Sequence, residues 1–185
     1  MLRVLPHVDA ALRAGSPVVA LESSVLAQGL PIPQNRGAAE RMVGAVERAG
    51  AVAAITAVVR GTPTVGLEPE ELERFLQRDG VYKVSTRDIP FTVVKGYDGA
   101  TTVAASLALA SLAGIEVFAT GGLGGVHRGA ADSFDVSADL GVLAGTPVLV
   151  VCAGVLTVPV DCPGSPIPPT IVVVAGDSRP VRLYA

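Results

Sequence analysis

GATTVAASLALASLAGIEVFATGG (99–122) holds a helix pattern at 101–113 and a strand-like run at 115–122, with one glycine between them. The first part is Ala- and Leu-rich, and the second is short, apolar and closed by glycines, the pattern of a strand buried on both faces. The same alternation runs outward in both directions. Strand-like runs fall at PVVALESS (17–24), AVAAITAVVRG (51–61), YKVSTRD (82–88), FTVVKG (91–96) and PVLVVCAG (147–154). Helix patterns fall at 35–49, 68–78 and 137–144, the second with Leu72, Phe75 and Leu76 on one face and acids in its first turn. Strands alternating with helices predict an α/β fold, layered α/β/α around a largely parallel sheet.

Composition agrees. The 185 residues are enough for one domain; half are hydrophobic, mostly Ala, Val and Leu, with 7 aromatics and no Trp. A chain of this length buries roughly 70% of its unfolded surface. Charged residues are 17% and mean hydropathy is +0.53, which excludes disorder over most of the length. Net charge −3 argues against the clustered basic face of a nucleic-acid binder. Cys152 and Cys162 form neither a disulfide framework nor a metal-ligand spacing and read as reduced thiols. The N-terminus lacks the apolar core of a signal peptide. Residues 140–160 carry no charge, but Gly145, Pro147, Gly154 and Pro159 interrupt them, so a turn and a strand are expected there, and no membrane contact. A soluble, cytoplasmic chain is the expectation.

The pattern stops near residue 155. Residues 155–185 hold 6 of the 14 prolines and neither Glu nor Lys, with TIVVVAG (170–176) as the one strand-like run. Prolines this close together forbid a long helix. The organisation expected is therefore 1–154 as a domain and 155–185 as a divergent Pro-rich tail. A change of reading frame and true divergence both account for such a switch.

Ligands of open α/β sheets gather beyond the C-terminal ends of strands, and several segments meet that description. Glu22 follows the apolar run VVAL with no cation beside it in sequence; burial there raises a carboxyl's pKa and suits a general acid, although a strand-end acid facing water has the same signature. At GATTVAAS (99–106) the hydroxyls of Thr101 and Thr102 and free helix N–H groups can converge on an anion, or Thr can simply cap the helix. VFATGGLGGVHRGA (117–130) is a strand, then a glycine-rich loop that lets a ligand lie against backbone, then His127 and Arg128; it matches neither the dinucleotide nor the P-loop fingerprint. Asp132, Asp135 and Asp139 offer oxygen ligands suited to Mg²⁺ or Mn²⁺, or a solvated helix start. Lysine occurs only at 83 and 95, and Lys83 can meet an anion as a point charge.

Together, VVALESSVLAQGLPIPQN, YKVSTRDIPF, GATTVAASLALASLAGIEVFATGGLGGVHRGA, SFDVSADL and VVCAG resemble the pseudouridine-5'-phosphate glycosidase family, over about residues 10–154. The resemblance implies a cytoplasmic homotrimer that uses Mn²⁺ and acts in nucleoside catabolism. It reversibly cleaves the C–C glycosidic bond of pseudouridine 5'-phosphate to uracil and ribose 5-phosphate. It places the family's proton donor on Glu22, its substrate contacts on Lys83, Val103, Ser137, Ala138 and Asp139, and its metal aspartate on Asp135. A C–C glycoside has no leaving oxygen to protonate, so two-carboxylate hydrolysis does not suffice. The family uses a lysine that forms an imine with the sugar, and this chain departs there: after Cys152-Ala153-Gly154-Val155 the lysine's position holds Leu156. Two readings follow, a glycosidase by inheritance and a non-catalytic sugar-phosphate-binding remnant.

Overall fold

The computed structural model describes residues 1–127 and 129–152, and the backbone of 172–174. Arg128, Cys162, Leu156 and the rest of the Pro-rich stretch lie outside the described residues, as do Ala153 and Gly154 of the expected last strand. The strands are β1 (Arg3–Val4), β2 (Val18–Leu21), β3 (Val52–Val59), β4 (Thr62–Val65), β5 (Val81–Val84), β6 (Asp98–Thr101), β7 (Val117–Thr120), β8 (Leu149–Cys152) and β9 (Val172–Val174). The helices are α1 (Pro6–Arg13), α2 (Gln34–Arg48), α3 (Pro69–Gln77), α4 (Ile89–Lys95), α5 (Val103–Leu112), α6 (Ala130–Ser133) and α7 (Ala138–Gly145). A π-helical turn at Val25–Gly29 follows β2, and a 3-10 turn at Thr86–Asp88 follows β5.

The strands form one mixed, mostly parallel sheet in the order β1-β4-β3-β2-β7-β8-β9, with β6 also on β3 and β5 beyond it. Among the described strands, only the β3–β4 and β3–β6 pairs are antiparallel. Side chains alternate between the faces, as strand geometry requires. Ala20, Ala54, Phe118 and Val150 pack with α1, α5 and α7 through Val8, Leu107 and Leu143. Val19, Leu21, Ala53, Ile55 and Ala119 pack with α2 and α3 through Ala38, Ala39 and Leu76. Helices thus cover both faces, the expected α/β layering. Buried almost all round, α5 has Val103, Ala104, Ala105, Leu107, Leu109 and Ala110 in the core, which explains its run of small and apolar residues. No helix among the described residues is long and apolar enough to cross a membrane.

Three local expectations are corrected. FTVVKG (91–96) is not a strand but most of α4, which carries Pro90 in its first turn and ends on Gly96 at φ 67°. The strand expected at 51–61 ends at Val59, because Arg60 (φ 46°) and Gly61 (φ 78°) turn the chain back into β4. Both central residues of this two-residue turn have positive φ, the conformation that matches the twist of a tight hairpin. Gly61 is required there twice over, since a Cβ would lie 2.7 Å from the Val93 carbonyl oxygen of α4. Finally, residues 98–101 form β6, so the helix expected from Thr101 begins at Val103.

Candidate active site

The site follows from how two strands meet on β3. Strand β2 runs parallel to β3 and ends with Leu21 opposite Ile55. Strand β6 runs antiparallel to β3, on the edge away from β4, with Ala100 opposite Ala57. The C-terminal ends of β2 and β6 therefore arrive head to head at Thr56. Four hydroxyl residues with no solvent exposure, Ser23, Thr56, Thr101 and Ser106, close the seam. Ser23 Oγ donates to the Thr56 carbonyl (2.7 Å) and accepts from the Thr101 amide (2.9 Å). Thr101 Oγ1 lies 2.7 Å from the same carbonyl and 2.9 Å from Thr56 Oγ1, and Ser106 Oγ donates to it at 3.0 Å. Buried polar groups are tolerated only when paired in this way. The expectation that Thr101 meets an anion is thereby corrected: its side chain belongs to the seam.

Directly after each strand end comes a cleft of about 360 Å³, lined by Glu22 and Ser24 beyond β2, Lys83 and Ser85 from β5, Thr102 and Val103 at the start of α5, Gly122 and Gly124 beyond β7, and Ser137, Ala138 and Asp139 at the start of α7. The structure thus brings together Glu22, Lys83, Val103, Ser137, Ala138 and Asp139. Asp135 is not among the lining residues. Its side chain is 66% exposed, and its carboxylate lies 4.0 Å from His127 Nδ1.

Glu22 is 7% exposed. Ser24 Oγ donates to Oε2 at 2.6 Å, and Thr120 Oγ1 at the end of β7 donates to Oε1. Burial pushes the Glu22 carboxyl above its ordinary value and the Asp139 charge adds to that, while the two hydroxyl donors and the Lys83 charge oppose it. A carboxyl so placed holds its proton to higher pH than a solvated one, the property a proton donor needs.

Asp139 does structural work as well. Its Oδ1 accepts from the Ala104 amide and its Oδ2 from the Gly124 amide, both at 2.9 Å, clasping the α5 N-terminus to the glycine loop. The loop can approach only because residue 124 is glycine: a Cβ there would lie 2.2 Å from Ser137 Oγ and 3.0 Å from Asp139 Oδ2. Across from this clasp, Thr102 occupies the N-cap of α5 without making a side-chain cap bond. Its Oγ1 is shielded from solvent and has no partner. Beside it, the Val103 amide is the first of the helix and has no intrahelical acceptor. An unpartnered hydroxyl, a helix N-terminus and the Lys83 ammonium on one cleft make an arrangement suited to a phosphate.

The metal reading finds less. No group of three or more His, Cys, Asp or Glu side chains among the described residues could hold a metal ion. Asp135 and Asp132 are exposed and Asp139 is committed to two amides. This donor set does not form a Mn²⁺ cage. Sequence reasoning also left out Ser24, Ser85 and Thr120, although it had singled out the glycine loop that holds Gly124. Ser85 lies two residues beyond Lys83, the spacing that returns a side chain to the same side of an extended chain, and that was the available signal; Ser24 has helical dihedrals (φ −64°, ψ −33°) and follows no such pattern.

The family described as indigoidine synthase A like protein matches residues 7–162. A pseudouridine-5'-phosphate glycosidase of Gemmatimonas aurantiaca is 60% identical over 163 residues, covering 88% of this chain and 52% of that protein. The pseudouridine-5'-phosphate glycosidase of Escherichia coli (strain K12) is 53% identical over 156 residues, covering 83% and 50%. Among solved structures, the prealnumycin C-glycosynthase AlnA in complex with ribulose 5-phosphate superposes with a TM-score of 0.76 at 40% identity, covering 84% of this chain and 50% of that one. An indigoidine synthase A-like protein from Thermotoga maritima gives 0.73 at 34% identity with the same coverage. The chain spans about half the length of the relatives it matches.

Proposed function

Because the chain belongs to the pseudouridine-5'-phosphate glycosidase and indigoidine synthase A-like family, we propose that its cleft takes the ribose 5-phosphate end of pseudouridine 5'-phosphate. Glu22 is then the proton donor to the departing uracil. The observation that carries this reading is the orphaned Thr102 hydroxyl at the head of α5, on the same cleft as Lys83 and the buried Glu22. Thr102, the Val103 amide and Lys83 hold the phosphate. Ser137, Ala138 and Asp139 face the sugar, with Asp139 fixed by its two amides. Glu22, whose carboxyl burial pushes above its ordinary value, delivers its proton to the base carbon as the C–C bond breaks. The AlnA structure, which holds a sugar phosphate, lends the substrate class support.

The cytoplasmic setting and a homotrimer belong to the same proposal by resemblance; of a Mn²⁺ site the described residues would supply Asp135 alone, an exposed single ligand, and no step is routed through the metal. As the base carbon takes the proton and leaves with the bonding pair, the sugar carbon is left electron-deficient and needs an electron donor, which an amine supplies by forming an imine. The family's imine-forming lysine corresponds to Leu156, which has no amine. That substitution favours a second reading, a sugar-phosphate-binding protein without turnover. One assay separates the two. Uracil released from pseudouridine 5'-phosphate above a Glu22→Ala control supports catalysis; ribose 5-phosphate binding without release supports the second reading; and neither binding nor release contradicts both.

A further inference from the structure

Thr120 stands outside every role assigned so far, although its hydroxyl sits behind the proton donor. It is 8% exposed at the end of β7. Its Oγ1 has three partners: Glu22 Oε1, the Gly122 amide at 3.2 Å and the Gly122 carbonyl oxygen at 3.1 Å. A hydroxyl offers one proton and two lone pairs, so these partners can be shared out in two ways. When Glu22 is ionised, Thr120 donates to the carboxylate and accepts from the Gly122 amide. When Glu22 is protonated, Oγ1 accepts from both the Glu22 hydroxyl and the Gly122 amide, and its own proton turns to the Gly122 carbonyl. No bond other than the Glu22 O–H is made or broken; the Thr120 hydroxyl only rotates. Gly122 itself lines the cleft.

We propose that Thr120 is a positioning residue that gives the Glu22 carboxyl a partner in both protonation states and couples that state to the glycine loop at Gly122. This rests on reading Glu22 as the proton donor. The other groups facing Glu22 are Ser24 just beyond β2, Lys83 from β5 and Asp139 from α7. None of these is hydrogen-bonded to both Glu22 and the loop: Ser24 reaches Glu22, and Asp139 reaches the loop one glycine pair further on, at Gly124. Donation to an ionised carboxylate is the stronger of the two Thr120 bonds, so its loss shifts Glu22 toward the protonated form.

The test is an NMR titration of the 185-residue chain without substrate. It follows the Glu22 side-chain carboxyl, assigned with Glu22→Gln, together with the Gly122 amide. In the unsubstituted chain the Gly122 amide is expected to titrate with the Glu22 midpoint. Thr120→Val is expected to move that midpoint upward and suppress the Gly122 response, and Thr120→Ser to restore both. A Gly122 amide that stays flat through the Glu22 titration, or a Thr120→Val midpoint equal to that of the unsubstituted chain, overturns the proposal and leaves Thr120 a strand-end fastening. Since no ligand is present, failure of ribose 5-phosphate binding or of uracil release leaves this result standing, and its own failure leaves theirs.

Discussion

Glu22 combines the two properties that matter most at the residue scale, burial and a full set of hydroxyl donors. Its carboxyl is held above its ordinary value of 4.5 by burial, so the folded state binds the proton more tightly than the unfolded one. The stability this contributes is fully present below the unfolded value and is lost as pH rises through the raised folded one. Glu22→Gln has no such titration. Thermal melts from below 4.5 to above neutrality are therefore expected to show the variant gaining on the unsubstituted chain as pH rises; parallel profiles would contradict the burial argument. Much of this residue was legible in the sequence, because an acid directly after VVAL must sit at the end of an apolar strand. The roles of Thr101 and Thr120 were not. Their hydroxyls are satisfied by Thr56 and Glu22, partners 45 and 98 residues away, and no local pattern encodes such pairs.

At the scale of elements, the site is a matter of which ends are brought together. The clasp of Asp139 fixes the start of α5 against the loop after β7 and against the start of α7. An amide in its place offers one acceptor oxygen where two backbone N–H groups need one each. Asp139→Asn is thus expected to cost about 1–3 kcal/mol, the penalty for one buried donor left unmet, measured by denaturant unfolding; an unchanged midpoint would show that the clasp is not holding the loop. Helix α3 was readable from its apolar face and first-turn acids, and α2 and α7 from helix patterns between strand-like runs. α4 was not: Phe91, Val93 and Val94 carry strand propensity yet are exposed on a short helix, which Pro90, the Gly96 stop and packing over the hairpin tip at Gly61 impose. Strand β4 escaped notice because Pro63 interrupts its pattern, and β6 because Asp98-Gly99-Ala100-Thr101 has almost no apolar mass. Without β4 and β6 the meeting of β2 and β6 on β3, the feature that creates the cleft, could not be foreseen.

For the molecule as a whole, alternation of strand and helix was enough to give the α/β class and the layering on both faces. It could not give the two antiparallel pairings, which depend on the short strands just named. The described residues bring Lys83, the head of α5 and a buried acid to one cleft, while the chain spans about half the length of the relatives it matches. The proposed function accordingly rests first on binding, a sugar phosphate held through Lys83 and the head of α5. Calorimetric titration of the 185-residue chain with ribose 5-phosphate, alongside Lys83→Ala, tests it most directly. Removing a charged hydrogen-bond donor costs about 1.5–3 kcal/mol, so the account predicts saturable binding that weakens roughly ten- to a hundredfold in the variant. No binding, or binding that Lys83→Ala leaves unchanged, would contradict it.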